Sequence, residues 1–177
     1  TGVITSADGC TANVSATVTQ STALVASTTQ TNVSCYAGNN GIVTATVTGG
    51  NSPYTILWSN GSTSFTLNNL VAGNYTGVIT SADGCTANVS ATVTQSTALV
   101  ASTTQTNVSC YAGNNGIVTA TVTGGNSPYT ILWSNGSTSF TLNNLVAGTY
   151  TGVITSADGC TANVSATVTQ PATTLAI

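Results

Sequence analysis

Residues 1–75 recur as 76–150 with a single change, Asn74 in the first copy against Thr149 in the second, and residues 151–170 begin a third copy before the sequence departs at Pro171. A chain that repeats at this period folds as an array of similar units, each resting on its neighbours. The unit is about 75 residues, small enough that only somewhat more than ~60% of its unfolded surface is buried on folding, so a disulfide or a packed neighbour is a useful supplement. The breaks fall after Gln20, Gln95 and Gln170. We therefore expect two whole domains, 21–95 and 96–170, with 1–20 supplying the last two strands of a preceding, incomplete repeat. Residues 171–177 start the next repeat or a linker.

Within one unit, period-two alternation marks the strands. Ala23 to Thr31 is a weakly patterned strand, and Ile42 to Thr48 places Val43, Ala45 and Val47 on one face and threonines on the other. Tyr54 to Ser59 aligns Tyr54, Ile56 and Trp58, Thr63 to Leu70 follows the tight-turn pair Asn60-Gly61, and Tyr75 to Ser81 comes next. Thr86 to Thr94 closes the unit with Ala87, Val89, Ala91 and Val93 inward. Short strands separated by turn clusters, with no helical period, predict an all-β protein of tandem antiparallel β-sandwiches.

The stretch Leu70-Val-Ala-Gly73-Asn-Tyr75, repeated as Leu145-Val-Ala-Gly148-Thr-Tyr150, reads as the corner where the chain leaves one sheet for the other. Gly73 and Gly148 are expected to make the turn. Tyr75 and Tyr150 bury their rings and return their hydroxyls to the turn backbone, the tyrosine corner of immunoglobulin-like sandwiches.

Composition excludes several classes of function. The chain has no Lys, Arg or His, and its only charges are Asp8, Asp83 and Asp158, for a formal charge of −3. With no cation it neutralises no phosphate, so nucleic acid and anionic membrane surfaces are poor partners, and its apolar runs are too short for membrane insertion. No His, Lys or Glu is present to activate a hydroxyl, so we expect no enzyme, no catalytic residues and no cofactor. Asp83 in Ala-Asp-Gly reads as a turn former rather than a calcium ligand. Trp58 and Tyr54 share the face assigned to the core and are read as packing rather than as a sugar platform. Tyr36 and its copy Tyr111 lie in glycine-rich turns and are candidates for ligand contacts or for packing at a joint.

Five cysteines, Cys10, Cys35, Cys85, Cys110 and Cys160, recur two to a repeat, which fits disulfides in a secreted, oxidising setting. No Cys-x-x-Cys spacing and no His are present to build a zinc site, so no metal is expected. Two pairings stand open, with free thiols as a third case. Cys35 with Cys85 and Cys110 with Cys160 would close each domain on itself, whereas Cys35 with Cys160 would staple neighbours in a head-to-tail array. Asn13, Asn32, Asn60 and Asn74 each begin Asn-x-Ser/Thr, a motif for N-glycosylation that chance also produces in so Thr-rich a chain.

Taken in order, Cys35-Tyr-Ala-Gly-Asn-Asn-Gly41, Gly49-Gly-Asn-Ser-Pro53-Tyr-Thr-Ile-Leu-Trp58-Ser-Asn-Gly61, the corner at Leu70 to Tyr75, and Asp83-Gly84-Cys85 resemble the repeat of SprB-type surface adhesins of gliding Bacteroidetes. The resemblance implies long, secreted, cell-surface proteins built of tandem sandwiches and used in adhesion and motility. This chain carries less charge, and Ser81 lies near a position where the family often has an acidic residue.

These readings converge on an extracellular structural protein, the shaft of a cell-surface adhesin or the body of a filament. The alternative is a binding module presenting its turns to glycans or other cells. The expected partner is another copy of the chain, added head to tail, laterally, or by donation of the two leading strands to an open sandwich.

Overall fold

The computed structural model describes residues 1–172, and every regular element among them is a strand. The first sandwich comprises β3 (Val25–Thr31), β4 (Gly41–Thr48), β5 (Thr55–Trp58), β6 (Thr66–Leu70), β7 (Gly73–Thr80) and β8 (Thr86–Val93), after a hairpin of β1 (Gly2–Thr5) and β2 (Thr11–Val14). The second repeats it as β9 (Val100–Thr106), β10 (Gly116–Thr123), β11 (Thr130–Trp133), β12 (Thr141–Leu145), β13 (Gly148–Thr155) and β14 (Thr161–Val168). Residues 173–177, part of the segment expected to start a further repeat or linker, lie outside the described residues.

Each sandwich packs the antiparallel sheet β3-β4-β6 against the antiparallel sheet β5-β7-β8. Alternation in the sequence becomes burial: Val43 and Ala45 on β4, Ile56 and Trp58 on β5, Ile79 on β7, and Val89, Ala91 and Val93 on β8 form one core. The equivalent residues form a second, separate core. Trp58 is the largest member of the first core, and covering a ring of ~150–250 Å² stabilises the fold by about 4–6 kcal/mol before entropy is counted. The ring lies against Gly77, where a Cβ would come within 2.9 Å of it. Its indole N–H donates to the Ser64 carbonyl at 2.9 Å. Tyr54 is half-buried beside this core and donates its hydroxyl to the Gly49 carbonyl at 2.7 Å.

The two sheets close along the β3–β8 seam. The Thr28 hydroxyl donates to the Ser90 carbonyl at 2.8 Å, and beyond β3 the Val33 N–H donates to the Thr94 carbonyl at 2.9 Å, leaving Val33 in a parallel bridge with Gln95. The chain thus passes from one sheet to the other along its first strand. This strand order, with a tyrosine corner leading into β7, is that of an immunoglobulin-like sandwich. The protein is all-β, a tandem of such sandwiches.

Two local expectations need correction. Gly73 does not make the corner turn: it is the first residue of β7, paired with Val93, and the left-handed residue is Asn69 at φ 55°, with Asn144 at φ 56° in the second copy. The cause is a register shift between β4 and β6, where Gly41 faces Leu70 but Val43 faces Leu67. Asn69 lies in the irregular stretch, and Asn tolerates that backbone better than other non-glycine residues. In addition, β6 starts at Thr66 rather than Thr63. Residues 62–64 are committed to a turn, in which the Ser62 N–H donates to Asn60 Oδ1 at 3.1 Å and the Ser64 carbonyl serves Trp58.

The hairpin β1–β2 keeps the register of the repeat's last two strands, Gly2 facing Val14 as Gly77 faces Val89. Among the described residues no sheet covers it. Ile4 is 61% exposed where Ile79 is 0%, and Val18 is 95% exposed where Val93 is 1%.

Candidate functional site

The site is the joint between the two sandwiches, built from a turn of the first and a hairpin of the second. The turn runs from Ser34 to Gly41. Asn40 organises it, its Oδ1 accepting from the Ser34 N–H at 3.0 Å and its amide donating to the Ser34 hydroxyl at 2.5 Å. The Gly38 N–H donates to the Cys35 carbonyl at 3.0 Å, and the Ala37 N–H donates to the Gln95 side chain at 2.8 Å, tying the turn to the end of β8.

The hairpin of the second sandwich spans Ser156 to Cys160. The Ser156 N–H donates to the Cys160 carbonyl at 2.9 Å, and the buried Ser156 hydroxyl serves the Asp158 carboxylate. That hydroxyl holds the Asp158 carboxyl below the ordinary carboxylate range, and Ser81 does the same for Asp83 in the first sandwich. Asn126 adds an amide donor to Asp158 at 3.1 Å, as Asn51 does to Asp83 at 3.2 Å. Both aspartates are therefore part of turn architecture. Among the described residues no three His, Cys, Asp or Glu side chains gather into a metal-binding group.

At the joint, Cys35 and Cys160 form a disulfide with Cα atoms 5.6 Å apart, across 125 residues of sequence. The Ser96 hydroxyl, in the connecting segment, donates to the Ser34 carbonyl at 2.9 Å. The pairing within a domain, Cys35 with Cys85 and Cys110 with Cys160, does not form. The reason is the length of β8. The Cys35 turn lies by the Val93–Gln95 end of that strand and Cys85 precedes its Thr86 end. A strand of 8 residues at ~3.3 Å each puts those ends roughly 25 Å apart, beyond any disulfide. Cys10, Cys85 and Cys110 are free and exposed.

Because the repeats are identical here, each joint residue has an unjoined equivalent for comparison. Ser34, Cys35, Ala98, Asp158 and Cys160 are half-buried, whereas Ser109, Cys110, Ala23, Asp83 and Cys85 are exposed. The contact is thus small and made of short side chains, held by one disulfide and one peptide connection. Tyr36 lines the groove beside it with Thr97, Ala98 and Leu99. It stays 58% exposed against 49% for Tyr111, so the joint does not cover its ring.

Of the residues singled out in the sequence, the structure thus brings together Cys35 and Cys160, with Tyr36 at the rim. The corner residues lie apart from the joint and act within each sandwich: Leu70 and Leu145 are buried, and Tyr75 and Tyr150 donate to the Val71 and Val146 carbonyls at 3.0 Å. The Asn-x-Ser/Thr asparagines are exposed, but Asn32, Asn60 and Asn74 already spend their Oδ1 on the Thr94 N–H, the Ser62 N–H and the Thr92 hydroxyl. Reading the sequence alone overlooked Ser34, Ser81, Ser96 and Asn40. No signal in the sequence marks them, because the two copies match at every position but one and constant spacing therefore singles out no residue.

The family model for the SprB repeat matches residues 27–63 and again 102–138. Each of the two sandwiches thus contains one stretch that matches the SprB repeat. SprB repeats are found in cell-surface proteins. No curated protein matches the sequence. Among solved structures, it is similar to the N-terminal four Ig domains of Dscam1 isoform 9.44, at 14% identity and a TM-score of 0.40 over 87% of this chain and 47% of that one. It is also similar to the N-terminal eight Ig domains of Down Syndrome Cell Adhesion Molecule isoform 1.30.30, at 17% identity and a TM-score of 0.37 over 82% of this chain and 24% of that one. The chain spans about half the length of the first and a quarter of the second. No helix among the described residues is long and apolar enough to cross a membrane.

Proposed function

We propose that these SprB repeats form a length of extracellular shaft, the stalk of a surface adhesin or the body of a filament, with no catalytic role. The observation that carries the reading is the Cys35–Cys160 disulfide, which joins consecutive repeats rather than closing each one. Two covalent connections, the disulfide and the peptide at Gln95–Ser96, restrict the hinge that a single short linker would leave free. Repetition then adds length without new design. Small-angle X-ray scattering of the oxidised and reduced chain tests this. One narrow distribution of interatomic distances that broadens on reduction supports a shaft, and an identical profile in both states argues against it.

Copies of the chain are its natural partners. The outer face of sheet β5-β7-β8 shows exposed Leu57 and Val78, recurring as Leu132 and Val153, among neutral polar side chains. With only three charges in the chain, little repulsion opposes lateral packing. The bare apolar face of β1–β2 fits strand donation to another copy. Sedimentation velocity of residues 21–172 against the whole chain separates the two routes: association lost with the hairpin identifies donation, and association retained identifies lateral packing.

Exposed Tyr36 and Tyr111 favour one second reading, a glycan-binding module. Glycan-array binding lost in a Tyr36→Ala/Tyr111→Ala variant would support it, and an array without signal would remove it.

A further inference from the structure

Cys35 and Cys160 are 125 residues apart in sequence, so their bond closes residues 36–159 into a loop that holds most of both sandwiches. A pull applied upstream of Cys35 and downstream of Cys160 crosses that loop through the disulfide and puts no tension on its peptide chain. Of the strands in the two sandwiches, only β3 and β14 lie outside the loop. We propose that the staple is a tension bypass: load travels along β3, the Cys35–Cys160 bond and β14, and the rest of both sandwiches stays folded beneath it. This deepens the shaft reading, since it rests on the same joint, and adds a force-bearing role to a stiffening one.

The two loaded strands lie on one course through the molecule. The segment entering β3 sits at the hairpin end of the first sandwich, where the Gly50 N–H donates to the Thr22 carbonyl and the Ala82 N–H to the Asn51 carbonyl, both at 2.9 Å. From there β3 runs to the Cys35 turn at the joint. β14 leaves the joint beside Cys160 and ends at Val168, after which the Thr169 carbonyl accepts from the Val108 N–H at 2.9 Å at the far end of the second sandwich. Each strand therefore crosses its sandwich once, already extended at ~3.3 Å per residue, with almost no length left to give. Tension enters such a strand at one end and leaves at the other, so little of it passes to the neighbouring strands as shear.

Without the staple the route changes. Tension that enters the first sandwich on β3 must leave it at Gln95, past the end of β8. These strands run in the same direction, as the parallel Val33–Gln95 bridge requires, and are drawn past each other. The seam resists through the Thr28 hydroxyl on the Ser90 carbonyl at 2.8 Å and the Val33 N–H on the Thr94 carbonyl at 2.9 Å. The second sandwich is sheared in the same way between β9 and β14, where the Thr103 hydroxyl donates to the Ser165 carbonyl at 2.9 Å. Once a seam gives, a sandwich of roughly 75 residues unravels and lengthens the chain by about 200 Å.

The test is a force clamp on single molecules of the whole chain carrying Cys10→Ser, Cys85→Ser and Cys110→Ser, tethered by its two ends. The force is set where the further variant Cys35→Ala/Cys160→Ala gives its two steps of about 200 Å well within the observation time, forced unfolding being governed by the unfolding rate. Held at that force without reductant, the stapled chain should give neither step. Dithiothreitol is then admitted to cut the bond. Sandwiches kept folded behind the staple should unfold only afterwards, as two separate steps of about 200 Å with the variant's own waiting times. A single step of about 400 Å at the instant of cleavage reports a loop already unfolded, and overturns the proposal while leaving the joint in place. Steps of about 200 Å before reductant is added mean that the staple is absent, and remove the shaft reading together with this one.

Discussion

Replacing both cysteines of the staple, Cys35→Ala with Cys160→Ala, should change how the two sandwiches unfold as well as when. If the first sandwich unfolds while the second stays native, the chain from Cys35 to Gln95 is a loop of roughly 60 residues held at both ends, which the chain-entropy relation penalises by about 4 kcal/mol at 25 °C. Unfolding the second sandwich alone closes a similar loop, from Ser96 to Cys160. With both unfolded the loop spans 125 residues, but its penalty is only about 5 kcal/mol, because the dependence on length is logarithmic. Most of the cost therefore falls on whichever sandwich opens first, and the second follows at little extra penalty. The staple makes two otherwise separable domains melt as one. Spread over about 150 residues, 5 kcal/mol corresponds to a Tm some 10–20 °C higher than in the variant. Differential scanning calorimetry, with Cys10, Cys85 and Cys110 replaced by serine in both proteins, is the assay. The stapled protein should show a van't Hoff enthalpy near the full calorimetric value, and the variant about half of it. A Tm change below about 3 °C, or the same enthalpy ratio in both proteins, would refute the argument.

Three further outcomes follow from single residues. Gly77→Ala puts a methyl group 2.9 Å from the Trp58 ring and 3.2 Å from Val89 inside the core; urea titration should show a loss of about 1–3 kcal/mol from overpacking. Tyr75→Phe removes the donor to the Val71 carbonyl while keeping the ring; the same assay should show about 0.5–1.5 kcal/mol, and no loss would mean that the hydroxyl bond contributes nothing to the corner. Asp83 and Asp158 titrate below the ordinary carboxylate value of 3.8, through the Ser81 and Ser156 hydroxyls first. A depressed folded value stabilises the fold above the unfolded pKa and is lost as pH falls through the folded one. Stability should therefore hold from neutral pH to about 4 and decline below it, and carboxyl NMR of Ser81→Ala/Ser156→Ala should show both pKa values rising. Unchanged values would exclude the hydroxyls as the cause.

The sequence by itself determined the repeat, the strands and most of the core, because these follow from local rules. Val43 with Ala45, Ile56 with Trp58, and Val89 with Ala91 and Val93 alternate at the period of a strand, and burial is the consequence of that alternation. The corner was visible as a motif, but its turn was assigned to the wrong residue. Glycine is the usual choice for a left-handed backbone, whereas here the β4–β6 register, a property of two strands together, shifts that conformation to Asn69. The buried hydroxyls of Ser81 and Ser156 were likewise hidden, since a serine in a Ser-rich chain carries no mark of what encloses it. The staple was decided only by tertiary structure. Five cysteines, separated alternately by 25 and 50 residues, admit pairing within a repeat or between repeats, and sequence spacing does not distinguish them. What distinguishes them is the length of β8, which holds Cys35 and Cys85 at opposite ends of one sandwich, and the head-to-tail contact, which brings Cys160 within 5.6 Å of Cys35 between Cα atoms. A disulfide reports which ends of folded domains meet, and that is set by packing in three dimensions, not by the order of residues along the chain.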